Sequence, residues 1–203
     1  MSHTVVLATR NAHKVGELRE ILADVCAELD LVIVGLRDFP DAPDVIEDGV
    51  TFEENALLKA TSAAKATGLP ALADDSGLAV DVLGGAPGIF SARWAGGGGD
   101  RANVQLLLNQ LGDVRDEHRG AAFVCAAALV LPDGRGAVEL GRFPGTLARE
   151  PRGTGGFGYD PIFVPTGSDR TLAEYAPEEK NGVSHRALAF RALAPHLREH
   201  LAR

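Results

Sequence analysis

Cysteine is scarce in this chain: Cys26 and Cys125 are the only two, far apart and each in an apolar context. That excludes a disulfide framework and a thiolate zinc site, and predicts two buried free thiols in a reducing compartment. Positive charge is also in short supply, with 20 lysines and arginines against 28 acidic residues and a net charge of −8. A non-specific nucleic-acid binder needs a cationic surface against phosphate, so that class is excluded. A small anion held in a locally basic pocket is not. Long hydrophobic runs are missing as well, since the longest, Ala121 to Leu131, is too short to span a bilayer. Met1-Ser2-His3 leads straight into a strand-like run, without a signal-peptide pattern. No internal repeat or low-complexity tail is present. The expectation is a cytoplasmic protein with neither a nucleic-acid nor a membrane partner.

What is present is ordinary globular composition, 45% hydrophobic and 24% charged over 203 residues. That length suits one domain spanning residues 1–203, or two lobes sharing a core. Thr4 to Ala8 reads as a buried first strand, followed by a helix with Val15, Leu18, Leu22 and Val25 on one face. Thr9 or Asn11 is its candidate cap. Leu31 to Val34 is a second strand, and the acidic, proline-containing segment from Arg37 to Gly49 is an exposed loop. Thr51 to Thr67 is helical, with Phe52, Ala56, Ala60 and Ala63 on one face, and Gly68-Leu69-Pro70 ends it. Gly96 to Gly99 form a flexible joint before a helix from Arg101 to Leu111. His118 to Leu131 and Ala137 to Thr146 are long strands joined by a hairpin turn at Pro132-Asp133-Gly134. Ile162 to Val164 is a short strand. The last helix starts near Ser184 and turns Ala187, Phe190, Ala194, Leu197 and Leu201 inward. Early alternation of strand and helix, with a hairpin later, predicts an α/β fold with a mixed central β-sheet flanked by helices.

The chain is organised around Leu72 to Trp94, LADDSGLAVDVLGGAPGIFSARW. An apolar run meets two adjacent carboxylates, Asp74 and Asp75, then Ser76 and Gly77. Neighbouring acids at the end of a buried strand repel each other and cost free energy to desolvate. Two readings follow: a solvated turn made of turn-forming residues, or a pair that holds a cation.

Other motifs bear on that choice. Thr9-Arg10-Asn11-Ala12-His13-Lys14 combines a strand end, a polar turn and a helix start, the arrangement of a phosphate cradle or of an ordinary capped helix. His13 and Lys14 put potential positive charge in the first turn, where the macrodipole disfavours it. The same violation recurs in Asn181-Gly182-Val183-Ser184-His185-Arg186, with Lys180 just before. An anionic ligand would resolve both. Gly153, Gly155 and Gly158 satisfy G-x-G-x-x-G, yet Tyr159-Asp160-Pro161 leads into a strand and not the helix a dinucleotide fold requires. Phe157 and Tyr159 in that close-approach backbone suit a flat aromatic ligand such as a purine; a mobile surface loop is the other reading. His196-Leu197-Arg198-Glu199-His200 spells H-x-x-E-H but is a decoy for a zinc peptidase, because Leu197 belongs to the packing face and no downstream segment supplies another ligand. Among the acids, Glu53 and Glu54 suit the start of the second helix. Glu47, outside it, is the better candidate to join Asp75 around magnesium.

Five segments, ATRNAHKVGELREIL, DGVTFEENALLKA, LADDSGLAVDVLGGAPGIFSARWAG, GTGGFGYDPIFVP and EEKNGVSHRALAF, resemble the inosine triphosphate pyrophosphatase family, in the family's order. The resemblance implies two lobes around a nucleotide-binding cleft, usually as a homodimer. It also implies Mg²⁺-dependent hydrolysis of non-standard purine nucleoside triphosphates to monophosphate and pyrophosphate. By motif position, Thr9, Arg10, Asn11, Ala12, His13 and Lys14, with Lys59, hold the phosphates. Asp75 is general base and metal ligand, Glu47 a second ligand, and Ser76 contacts substrate. Phe157, Gly158, Tyr159, Asp160, Lys180, His185 and Arg186 bind the rest of the nucleotide. Arg10 departs from the pattern, many relatives carrying a small residue there.

Residue chemistry agrees with the resemblance. A triphosphate needs cations, and in-line attack by water needs a carboxylate near the metal to orient or deprotonate it. Selecting a 6-oxo purine over adenine needs donors aimed at the oxygen, which Ser184 to Arg186 are suited to supply. A non-catalytic purine nucleotide sensor with the same pocket is the alternative; it would need the cationic cradle but not Asp75 beside the metal.

Overall fold

The computed structural model describes residues 3–176, 179 and 184–202. The strands are β1 (His3–Leu7), β2 (Leu31–Gly35), β3 (Ala71–Val80), β4 (Gly120–Val130), β5 (Gly136–Leu147) and β6 (Phe163–Pro165). The helices are α1 (Ala12–Ile21), α2 (Ala23–Leu29), α3 (Phe52–Thr67), α4 (Gly99–Gln110) and α5 (His185–Leu201). Strand order is β2-β1-β3-β4-β5-β6. β1 runs parallel to β2 and β3, while β5 and β6 are antiparallel, so the sheet is mixed as predicted. The hairpin turn between β4 and β5 is closed by Leu131 N–H to Arg135 O and Gly134 N–H to Leu131 O.

The chain forms two compact units. The first comprises residues 1–75, 125–141 and 186–203, and the second 76–124 and 142–185. In the first, side chains alternate across the sheet, giving a core on each face. One core joins Val5, Leu7, Ile33, Leu72, Ala127 and Leu129 to α1, α2 and α5. The other joins Val6, Ala71, Ala73, Ala126 and Ala128 to the alanine face of α3. Alanine at residues 56, 60, 63 and 64 lets α3 approach its strands closely; the helical periodicity predicted the first three on this face.

Local signals explain the helix ends. Asn11 caps α1 by accepting from the His13 N–H at 2.9 Å. Thr51 caps α3 by accepting from Glu54 N–H at 3.1 Å, while the Glu54 carboxylate accepts from Val50 N–H at 2.7 Å. Gly68 closes α3 at φ +68, a left-handed conformation that favours glycine. The first helix is not continuous: it breaks at Leu22, whose buried side chain nonetheless stays on the predicted face.

In the second unit the core is Leu78, Val80, Val104, Leu107, Phe123, Tyr159 and Phe163, with the rings of Phe123 and Phe163 4.7 Å apart. Gly77 has no room for a side chain, since a Cβ there would lie 2.5 Å from both Gly88 O and Ser91 Oγ. The Gly96–Gly99 run lies inside this unit and leads into α4, so it is not the joint between the units. The chain changes unit within β3, β4 and β5 and at the start of α5.

Candidate functional site

Of the two readings of Asp74-Asp75, the solvated turn is not formed. Both residues lie within the continuous strand β3, Asp74 buried and Asp75 half-buried. The strand tolerates the pair because consecutive side chains point to opposite faces, so the two carboxylates do not share an environment. Asp74 follows Leu72 onto the face of α1 and α5; Asp75 follows Ala73 onto the face of α3. Each face supplies its own cations.

Asp74 meets α1 and α5. Lys14 Nζ lies 3.3 Å from Asp74 Oδ2. Arg186 donates to the same oxygen through Nε at 3.1 Å and Nη2 at 3.0 Å. Its remaining fork nitrogen, Nη1, reaches Glu17 Oε2 at 2.7 Å. Burial alone would raise the Asp74 pKa; Arg186, Lys14 and Lys59 outweigh it and hold the carboxyl well below the usual carboxylate range. Burial likewise disfavours the Arg186 charge, and Asp74 and Glu17 more than restore it. The two cationic helix starts that pointed to an anion in the sequence are thus compensated here by Asp74 and Glu17.

Asp75 meets α3. Lys59 Nζ donates to Asp75 Oδ1 at 3.1 Å and to Glu47 Oε1 at 3.0 Å, so both carboxylates converge on one cation. Asn55, one helical turn before Lys59, donates through Nδ2 to Asp75 Oδ2 at 3.3 Å. Its Oδ1 accepts from Gly49 N–H at 2.9 Å, which ties the loop bearing Glu47 to the strand bearing Asp75. Burial raises the Asp75 pKa and Glu47 adds to it; Lys59 and Asn55 oppose it, and the net shift is upward. Burial would lower the Lys59 pKa, but Asp75 and Glu47 leave it raised. Consecutive carboxyls therefore have opposite shifts, the pattern expected where one is structural and the other is poised for proton transfer.

A cavity of about 380 Å³ in the first unit is lined by Thr9, Arg10, Glu47 and Lys59 among others, bringing four predicted site residues together. Thr9 Oγ1 accepts from Asn11 N–H at 3.2 Å. Arg10 holds the acidic loop, donating to Ala42 O at 2.6 Å and Leu36 O at 3.3 Å with Asp44 at 3.3 Å. Asn11, Ala12 and His13 are exposed at the start of α1.

The remaining predicted residues belong to the second unit. Ser76 continues β3, half-buried. Phe157 is 70% exposed. Tyr159 is buried, its hydroxyl donating to Ser91 O at 2.9 Å, and burial with Asp100 pushes its pKa up. Its ring is therefore part of the core and not a stacking surface. Asp160 shapes the glycine loop, accepting from Phe157 N–H at 2.8 Å, and Gly158 N–H donates to Asp100 at 2.6 Å. His185 stacks on Phe123 with centroids 5.1 Å apart. Lys180 lies outside the described residues. Of the cysteines, Cys125 is buried with its thiol pKa pushed up by burial, while Cys26 is only half-buried because α2 carries it at the edge of the core.

Sequence reasoning missed Asn55 and Glu17. Asn55 could have been found as a polar residue on the alanine face of α3 four positions before Lys59. Glu17 sits three positions after Lys14 on α1, but its partner Arg186 is 169 residues away in the chain.

Two hard carboxylate oxygens, from Glu47 and Asp75, converge on one ammonium. That donor set also fits Mg²⁺, which takes one or two carboxylates and completes its shell with water and phosphate. The fold and this cluster define an α/β protein with paired acid and cation chemistry built on one strand of a mixed sheet. Residues 5–196 match the model of the Ham1 family, and the chain belongs to that family.

The dITP/XTP pyrophosphatase of Streptomyces coelicolor is 64% identical over 196 residues, covering 96% of this chain and 97% of that protein. The Nocardia farcinica dITP/XTP pyrophosphatase is 56% identical, covering 95% and 94%. Among solved structures, a HAM1 protein from Coxiella burnetii superposes with a TM-score of 0.88 at 44% identity, covering 97% of this chain and 99% of that one. The nucleoside-triphosphatase / dITP/XTP pyrophosphatase of Mycobacterium abscessus gives 0.78 at 52% identity, covering 96% and 98%.

Proposed function

We propose that this protein hydrolyses non-canonical purine nucleoside triphosphates, ITP, dITP and XTP, to monophosphate and pyrophosphate, removing them from the nucleotide pool. The observation that carries the catalytic reading is the opposite treatment of Asp74 and Asp75. Asp74 is locked in an ion pair, whereas Asp75 has a raised pKa beside Lys59 and Glu47. A sensor would need the cations but no carboxyl poised in this way.

Asp75 is the general base, taking a proton from the attacking water through a carboxylate oxygen. Lys59 and Lys14 offset phosphate charge, and Thr9 to His13 place the start of α1 toward the phosphates. Glu47 and Asp75 would hold Mg²⁺, which supplies charge neutralisation on the phosphates. Ser76, Phe157, Gly158, Asp160, Lys180, His185 and Arg186 are assigned to nucleotide recognition by motif position, with Tyr159 anchoring the loop in the core of the second unit. Arg10 contributes by holding the acidic loop near Glu47. We also propose a cytoplasmic homodimer. No helix among the described residues is long and apolar enough to cross a membrane.

Incubation with Mg²⁺ and ITP, XTP, ATP or GTP, followed by product identification, tests this reading. Pyrophosphate and monophosphate from ITP and XTP are expected, with ATP spared. Orthophosphate release would refute the cleavage position, and equal rates on ATP and ITP would refute the selectivity.

A further inference from the structure

The C-terminal turns of α5 carry a second cluster that the proposed hydrolysis does not use. His196, Glu199 and His200 each offer a ligand atom, and these atoms lie within 4.8 Å of one another. Their spacing of three and four residues puts them on one face of the helix. A fourth residue comes from β5: His196 Nε2 and Glu139 Oε1 are 2.9 Å apart. When Nε2–H donates to that carboxylate, the ring is held in one orientation and its other nitrogen keeps a lone pair.

We propose that His196, Glu199 and His200 form a binding site for Zn²⁺, with Glu139 as the residue that positions the His196 ring. Two imidazoles and one carboxylate are a borderline-soft donor set that suits zinc, with water completing a four-coordinate shell. The same set suits Mg²⁺ poorly, because that ion prefers oxygen ligands. The site is therefore chemically distinct from the Glu47–Asp75 pair. It is not a peptidase centre, since Leu197 is buried in the core and Glu199 is exposed on the surface. All three ligands belong to α5, so binding to the native helix stabilises the first unit, while Glu139 ties the His196 ring to β5.

The test is Zn²⁺ titration of the full chain by calorimetry, with Mg²⁺ in large excess to occupy the carboxylate pair. One equivalent of Zn²⁺ is expected, and Zn²⁺ should raise the melting temperature. His200→Gln should weaken Zn²⁺ binding at least about tenfold and abolish the thermal shift, and Glu139→Gln should weaken it roughly tenfold. Without Zn²⁺, His200→Gln should keep the wild-type melting temperature and Mg²⁺-dependent turnover of ITP. Wild-type Zn²⁺ affinity in His200→Gln, or no binding by the wild type, would overturn the proposal without touching the hydrolysis reading.

Discussion

The Lys59 ammonium lies 3.1 Å from the Asp75 carboxylate, on the face of β3 opposite the one where Asp74 meets Arg186. One peptide unit thus separates a carboxyl with a raised pKa from one held far down. The difference arises from what packs on each face: α3 brings one ammonium that Asp75 shares with Glu47, whereas α1 and α5 bring a lysine and an arginine to Asp74.

If Asp75 is the base, Asp75→Asn removes the proton acceptor and keeps the side-chain shape. Turnover of ITP should drop roughly 10²–10⁴-fold while far-UV circular dichroism and nucleotide binding stay near wild type. Turnover within a few-fold of wild type would place the base elsewhere.

The pH profile supplies an independent check. Asp75 works as a base only when ionised, so activity is lost as pH falls through its pKa, which burial raises and bound Mg²⁺ would lower. Lys59 and Asn55 pull that value down. Lys59→Met should therefore move the acid limb of kcat/KM to higher pH, in addition to weakening phosphate binding. An acid limb that does not move would mean that another group controls it.

Asn55→Ala tests the bridge between Gly49 and Asp75. The part-buried Gly49 N–H would lose its acceptor, at a cost of about 1 kcal/mol, readable as a lower urea midpoint. Losing the donor to Asp75 should also shift the acid limb upward, an effect that a purely structural role would not produce. Loss of stability with an unchanged limb would leave Asn55 as a packing residue only.

Asp74 should matter for folding. The Arg186 and Asp74 side chains are 10% and 5% exposed, and breaking such a pair leaves a buried charge. Asp74→Asn should cost about 3 kcal/mol by chemical denaturation at neutral pH. The sign with pH follows from the depressed pKa: the contribution is full above the unfolded value of about 4 and declines as pH falls below it. The gap between wild type and variant should narrow in acid; a gap that widens there would contradict the ion-pair account.

Much of the fold was legible because it depends on local periodicity. The alanine face of α3, the Asn11 cap, the Gly68 stop and the β4–β5 hairpin are short-range patterns, and the structure follows them. The break at Leu22 was not legible, since the apolar spacing runs through it unchanged. The turn reading of the Asp-Asp-Ser-Gly stretch fails for a related reason. Turn propensity describes an isolated segment, whereas here cations from three helices stabilise the extended strand.

What the sequence by itself determined is which chemistry is available: two adjacent carboxyls, lysines and an arginine at helix starts, an aromatic glycine loop and a zinc-like H-x-x-E-H pattern. Only the tertiary structure decided how those groups are shared out. Strand alternation sends Asp74 and Asp75 to opposite faces, and helices distant in sequence bring Arg186 to one and Lys59 to the other. β5 brings Glu139 to His196. Charge pairing at 3 Å depends on which elements pack together, and that long-range information is not carried by any short stretch of the chain.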